Sequence, residues 1–260
     1  MNNYHTHTYR CGHATGEVID YAREASKQGL QVLGISDHTP WPDGRWSDVR
    51  MTLEELPGYL KAIEEAQEKY PELTFLKALE CEYIRDFHGF FQELKEDLDY
   101  LIGAVHFIRH RGEWLDVYGG VQTKDELATY TDQLLLAMDS GLFSFMAHPD
   151  LFANSYLRWD EEAIACSRTI IEAAVSYGIP LEINGYGWRK PTVDTPEGRR
   201  PMYPWRSFWE LAVQYPVGVI INSDAHQPED VGANLEQGRE LAKELGLEIV
   251  EFLPVGERGC

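Results

Sequence analysis

Basic side chains are scarce in this sequence. Lys and Arg number 23 against 43 Asp and Glu, a formal charge of −20 at neutral pH. A protein that grips a nucleic-acid polymer carries a basic footprint, whereas this chain repels polyanions at long range. A small anionic ligand is still admissible, because bound metal ions reverse the sign of a local field. Cysteine is scarce too. Cys11, Cys81, Cys166 and Cys260 form no CxxC pair and are too few for a disulfide framework. A reducing cytoplasm is the expected compartment. No stretch approaches 18 apolar residues and no basic-then-apolar leader opens the chain, so neither a membrane span nor a secretion signal is expected. Ser/Gly linkers, low-complexity tracts and internal repeats are missing, and 1–260 is read as one domain.

What is present is an alternation. Short apolar runs at 32–35, 73–79, 100–105, 143–147, 180–183 and 217–221 are separated by segments with helical spacing. Thr52-Leu53-Glu54-Glu55 and Thr123-Lys124-Asp125-Glu126 fit capping boxes at helix starts. After the second, Leu127, Tyr130, Leu134 and Met138 share one helical face. Further helices are predicted over 160–177 and 229–245, with a last strand over 247–252. About seven strand–helix units imply an α/β fold with a mostly parallel sheet, and fit a closed barrel better than an open sheet. The segment 185–204, rich in Gly, Pro and Arg, reads as a functional loop.

Histidines and carboxylates recur at the C-terminal ends of the strand patterns. His5 and His7 end the first, His38 follows VLGISD, Glu80 follows LTFLKAL, His106 follows LIGAV, His148 follows FSFMA, and Asp224 and His226 follow VGVIINS. In an α/β barrel these ends converge on one face. Residues two apart on a strand point the same way, so His5 and His7 can ligate one ion, and Asp224 and His226 can ligate one ion or two adjacent ones. His13 needs only a short loop to return to them. Imidazole with carboxylate suits zinc, iron or manganese. His88 and His110 fall outside the pattern and are expected to be exposed. Trp41, Trp46, Trp114, Trp188, Trp205 and Trp209 are expected in packing roles, with a substrate pocket as the alternative. Glu82 shares the face of Glu80 by alternation and is read as a salt-bridge residue or a support for the metal ligands.

The set His5-Thr6-His7, His13, Asp37-His38, Glu80, His106, His148-Pro149 and Asp224-Ala225-His226 resembles, in order and over nearly the whole chain, the ligand pattern of the PHP family (polymerase and histidinol phosphatase). The segments LEINGYGWRKP (181–191), AHPDLF (147–152) and LECEY (79–83) are similar to its histidinol-phosphate phosphatase branch. The resemblance implies a distorted (β/α)7 barrel, TIM-like, with three divalent metal ions (Zn, Fe or Mn). Carried over by position, His5, His7, Glu80 and Asp224 would hold the first, Glu80, His106 and His148 the second, and His13, His38 and His226 the third. It also implies hydrolysis of a small phosphorylated substrate, L-histidinol phosphate in histidine biosynthesis, by a hydroxide bridging two metals.

Glu80 and Asp224 are then catalytic through the metals, and Asp37 is a candidate for the leaving-group proton. Arginine suits a bidentate grip on phosphate. Arg189 is the first candidate and Arg158 the second, with Asn184 helping to place the substrate; Lys190, Arg199 and Arg200 are further candidates, with plain surface exposure as the alternative. Other readings are a family member acting on another phosphate ester or a nucleotide, a binuclear amidohydrolase, and a metal-binding module without activity. The histidines beyond a binuclear set, His13, His38 and His226, argue against the amidohydrolase.

Overall fold

The structure is a computed structural model that describes residues 1–254, so Cys260 lies outside the described residues. Eight strands form one parallel sheet: β1 (Asn2–Asn3), β2 (Val32–Ile35), β3 (Thr74–Glu82), β4 (Tyr100–Ala104), β7 (Phe145–Met146), β8 (Leu181–Asn184), β11 (Gly218–Asn222) and β12 (Glu248–Ile249), in that spatial order. The hairpin β5 (Phe107–His110) and β6 (Glu113–Asp116) and the hairpin β9 (Val193–Thr195) and β10 (Gly198–Arg200) lie outside it. Beyond β1 the chain bridges back to the extension of β11: Thr6 pairs in parallel with Ala225, and His7 N donates to Ala225 O at 2.9 Å. The sheet therefore curls round on itself through seven strands, β12 adding to the flank of β11. This is the barrel the alternation predicts, in the distorted form the family resemblance implies.

Helices connect the strands: α1 (Val18–Gln28), α2 (Leu56–Lys69), α3 (His88–Asp97), a single turn α4 (Val117–Gly120), α5 (Lys124–Asp139), α6 (Glu161–Tyr177), α7 (Arg206–Ala212) and α8 (Leu235–Leu245). Both predicted capping boxes are present. That of Thr52 and Glu55 closes a short turn leading into α2, and that of Thr123 and Glu126 caps α5. Leu127, Tyr130, Leu134 and Met138 are buried, as their spacing predicts. None of these helices is long and apolar enough to cross a membrane. Three predicted segments come out shorter. The run 143–147 pairs only at Phe145–Met146, 247–252 only at Glu248–Ile249, and 229–245 is helical only from Leu235. At 143–147 the apolar pattern marks burial, which extends past the residues that find a ladder partner, whereas Glu251 and Phe252 are exposed and 229–234 forms turns ahead of the helix.

Side-chain alternation sorts the core into two layers. Tyr4, Ala78, Tyr100, Ile102, Ala104, Phe145, Ala147 and Ile220 pack together inside the barrel. Leu79, Leu101, Leu181, Ile183, Val219 and Ile221 face the helices. The inner layer is tight. A Cβ on Gly34 would lie 1.9 Å from Tyr100 Oη and 2.9 Å from the Tyr4 backbone, so β2 can approach β1 only as glycine. Because Ala78 points inward, Glu80 and Glu82 do too, and they emerge above the packed floor at the strand's C-terminal end.

Candidate metal centre

The nine predicted ligands meet above that floor. His5 Nε2 lies 3.1 Å from His7 Nε2, 3.4 Å from Glu80 Oε1 and 3.6 Å from Asp224 Oδ1. His7 Nε2 lies 3.2 Å from Asp224 Oδ1 and 3.5 Å from Glu80 Oε2. The other Glu80 contacts are His148 Nε2 at 3.0 Å, His106 Nε2 at 3.6 Å and His38 Nδ1 at 2.9 Å. On the far side His226 Nε2 and His13 Nε2 approach to 3.1 Å. His38 lies between the two halves: its ring is 4.4 Å from that of His7, 5.4 Å from that of His13 and 5.1 Å from that of His106. His88 and His110 are elsewhere and half-buried rather than exposed, each on a hydroxyl, of Tyr83 and Thr129 respectively.

The donor set fits cations. Two imidazole nitrogens 3.1 Å apart can share only one proton, yet such pairs occur twice here, with carboxylates turned toward the same points. Glu80 Oε2, Asp224 Oδ1 and His38 Nδ1 are buried, and although they lie 2.9–3.5 Å from one another or from His7, no well-directed hydrogen bond satisfies them. Buried atoms of that kind are costly unless something satisfies them. The triplets His5, His7 and Glu80, then His7, His38 and His226, then His38, Glu80 and His106 each offer ligand atoms within 4.8 Å of one another. His148 (φ 28°) and Asp224 (φ 49°) both sit in the left-handed region that residues with a Cβ avoid, a strain that concentrates at functional positions.

Charge is divided unevenly across the cluster. Burial works against ionisation of Glu80 and Asp224, but the surrounding histidines outweigh it and hold both well below the usual carboxylate range. Burial and the neighbouring His7 push His38 and His226 well below the usual histidine value. Burial works against charge on His5 and His106 as well, but Asp224, Glu182 and Glu80 hold His5 above the usual value, and Glu80 and Glu82 hold His106 above it. These two rings must give up a proton as an ion binds, whereas His38 and His226 already have the neutral form a cation requires.

Other predicted residues lie outside the cavity of about 280 Å³ that this cluster lines. Asp37 is buried behind His7, accepting from Thr8 N at 2.8 Å and Thr8 Oγ1 at 2.6 Å. Arg189 turns away: it donates to Ser223 O, Asp224 O and Asn234 Oδ1 and pairs with Asp230 at 3.2 Å. Asn184 is buried and donates to Glu182 and Asp224. Arg158 is exposed and does not line the cavity. The tryptophans pack, and three of them enclose a cation of the protein itself. Arg45 lies 5.2–5.7 Å from the ring centres of Trp41, Trp46, Phe87 and Trp114.

The cavity is instead walled by Val49, Arg50, Phe107, Asp116, Tyr118, Tyr186 and Lys190. Lys190 Nζ sits 4.0 Å from the Tyr186 ring centre and 5.0 Å from that of Tyr118. Arg50 is fixed by Glu82 through contacts of 2.8 and 3.2 Å, and Glu82 also meets His106 Nδ1 at 2.6 Å. Glu82 therefore fills both roles that alternation leaves open to it. Cys11 was missed as a possible ligand. Its thiol could join His13 and His226, and its place inside HTHTYRCGH was the available signal. Glu182, which faces His5, carries no such mark in its spacing.

Comparison with known proteins agrees with this centre. The PHP domain model matches residues 3–185. A protein of Deinococcus radiodurans named as a probable histidinol-phosphatase is 31% identical, the match covering 95% of each chain. One of Schizosaccharomyces pombe with the same name is 23% identical over 98% of this chain and 90% of its own. Histidinol phosphate phosphatase of Lactococcus lactis, solved in complex with zinc, L-histidinol and phosphate, superposes with a TM-score of 0.76 at 17% identity over 98% of both chains. With the family model covering most of its length and the ligand cluster lying above the barrel, the chain belongs to the PHP domain family.

Proposed function

We propose that this protein is a metal-dependent phosphatase that hydrolyses L-histidinol phosphate to L-histidinol and phosphate. The observation that carries the reading is the convergence of His5, His7, Glu80, His106, His148 and Asp224 on a buried cluster of lone pairs that no well-directed hydrogen bond satisfies, opening onto a cavity through His7, Glu80, His106 and Asp224. The full-length likeness to relatives named as histidinol-phosphatases supports the substrate.

In this reading His5, His7, Glu80 and Asp224 hold one ion, Glu80, His106 and His148 a second, and His13, His38 and His226 a third. Zinc, iron and manganese all suit these donors. When bound, the ions supply Lewis acidity, which acidifies water into a nucleophile near neutral pH and neutralises phosphoryl charge. The protein does the rest. Glu80 offers one oxygen toward His5, His106 and His148 and the other toward His7 and His38, which suits it to bridge. Lys190 supplies a cation for the phosphate from the cavity wall. Phe107, Tyr118 and Tyr186 offer flat faces to the imidazole of the leaving group, and Asp116 offers a carboxylate to its ammonium. Asp37 lies behind His7, its nearest oxygen 4.0 Å from His7 Nδ1, and is held by Thr8. Arg189 and Asn184 act through Asp224 by bracing its backbone and side chain.

The family model ends at residue 185, yet Asp224 and His226 lie beyond it and complete the cluster, which supports reading 1–260 as one catalytic unit. Cys11, Cys81 and Cys166 are buried and free, in keeping with work in the cytoplasm. Phosphate release should be measured for L-histidinol phosphate against a panel of sugar phosphates, amino-alcohol phosphates and nucleotides. L-histidinol phosphate is expected to give the highest kcat/KM. A kcat/KM no better than that for a generic sugar phosphate would remove the substrate assignment.

A further inference from the structure

Behind the ligands stands a carboxylate that none of the preceding chemistry uses. Glu182, in the middle of β8, is fully buried. Its Oε1 meets His5 Nδ1 at 2.8 Å and accepts from Asn222 Nδ2 at 2.9 Å. Its Oε2 accepts from His148 N at 3.1 Å and from Asn184 Nδ2 at 2.8 Å. The two amides cannot flip to relieve this arrangement. Asn184 Oδ1 accepts from Tyr186 N and Asn222 Oδ1 accepts from Tyr4 N, both at 2.8 Å, which fixes the NH2 groups toward Glu182. Four donors thus converge on one carboxylate, and an acceptor at that place sets the proton of His5 on Nδ1 and its lone pair on Nε2. Nε2 is the atom turned toward His7, Glu80 and Asp224.

The contacts reach three ligand positions from three strands. Glu182 holds the ring of His5 after β1 and the strained backbone of His148 after β7. Through Asn184, whose Nδ2 also donates to Asp224 Oδ2 at 3.0 Å, it reaches Asp224 after β11. Glu82, which backs His106 in the same manner, differs in one respect: Arg50 neutralises it. Among the described residues the sole ion-pair partner of Glu182 is His5. A buried carboxylate without a Lys or Arg makes its surroundings favour an added cation.

We propose that Glu182 is a positioning residue that selects the His5 tautomer and aligns His5, His148 and Asp224. Its uncompensated charge thereby raises the affinity for the ion held by His5, His7, Glu80 and Asp224, while leaving the ion on His13, His38 and His226 unaffected. This rests on the metal assignment proposed above.

The test is zinc binding to the full chain, measured by competition with a chromophoric chelator and by elemental analysis, for wild type, Glu182→Gln and His13→Ala. Nitrogen-15 spectra of the histidine rings accompany it. Glu182→Gln is expected to weaken the site of His5, His7, Glu80 and Asp224 about 10–100-fold, the range for lost supporting hydrogen bonds, and the adjoining site that uses His148 by less. It should keep the site that His13→Ala removes and shift the His5 ring signals alone. If Glu182→Gln binds every equivalent as tightly as wild type, or weakens all sites equally, the proposal is overturned. If wild type itself holds no zinc, the metal assignment fails instead. Should Glu182→Gln not fold by circular dichroism, Asn184→Ala, which removes the link to Asp224 together with one donor to Glu182 and the acceptor of Tyr186 N, is read in its place: weakening of the site that holds Asp224 supports the proposal, and unchanged affinity overturns it.

Discussion

His13 and His226, 213 residues apart in sequence, bring their Nε2 atoms to within 3.1 Å. A binuclear centre built on His5 and His7 has no use for that approach, whereas a third ion does. His13→Ala is therefore expected to remove one metal equivalent while the others stay. Phosphatase turnover should fall about a hundredfold or more, the scale for losing one electrophilic contact to the reacting group. Elemental analysis beside a phosphate-release assay checks this; unchanged metal content would return the protein to a binuclear reading.

Lys190 and Arg189 are neighbours with opposite surroundings, so their substitutions should separate. Lys190→Ala is expected to cut kcat/KM about 10–100-fold, the equivalent of about 1.5–3 kcal/mol for a charged hydrogen bond. Arg189→Ala should instead lower stability by about 2 kcal/mol, since its guanidinium braces the backbone of Ser223 and Asp224. Steady-state kinetics and urea unfolding of both variants decide the matter. The assignment is reversed if Arg189→Ala raises KM without destabilising.

Without metal, Glu80 Oε2 and Asp224 Oδ1 are buried among histidines with no well-directed hydrogen bond. Chelation should lower the melting temperature, and zinc or manganese should restore it. An ion present at a hundred times its Kd stabilises by about 2.7 kcal/mol, which for a chain of this size corresponds to roughly 5–10 °C. A melting temperature indifferent to chelator contradicts the centre.

Asp150 provides a pH signature apart from activity. Burial pushes its carboxyl up to about 6, although Trp205 N and Trp209 Nε1 donate to it and pull the other way. The folded state therefore binds this proton more tightly than the unfolded chain. The resulting stability is complete below the unfolded value near 4 and is lost as pH rises through about 6. Asp150→Asn lacks this dependence. Relative to wild type it should gain about 3 kcal/mol between pH 4 and pH 8, whatever its constant offset. Chelator-treated protein unfolded in urea across that range measures the difference, and parallel profiles would disprove the shift.

The ligand types and their spacing were legible in the chain because they are local. A two-residue strand period puts His5 beside His7, capping boxes announce α2 and α5, and the strand ends collect the histidines. The rest depended on contacts between distant segments. Arg189 and Lys190 are adjacent in sequence, and only the turn Tyr186–Arg189, packed against the Asp224 loop, decides that the lysine faces the cavity. Trp41, Trp46 and Trp114 close around Arg45 because the segment between β2 and α2, which carries the first two and the arginine, meets β6, which carries Trp114. Glu182 stood out in sequence only as the acid of LEINGYGWRKP, the segment similar to the histidinol-phosphate phosphatase branch, with no role of its own. Its place behind His5, with two amides locked toward it, follows from the register of β8 against β11 and from the bridge of Thr6 to Ala225 that returns the first strand to the last. Sequence alone determined which chemical groups the protein brings to its barrel mouth. Tertiary structure decided which of them touch, because side-chain direction at the strand ends is set by packing across the barrel rather than along the chain.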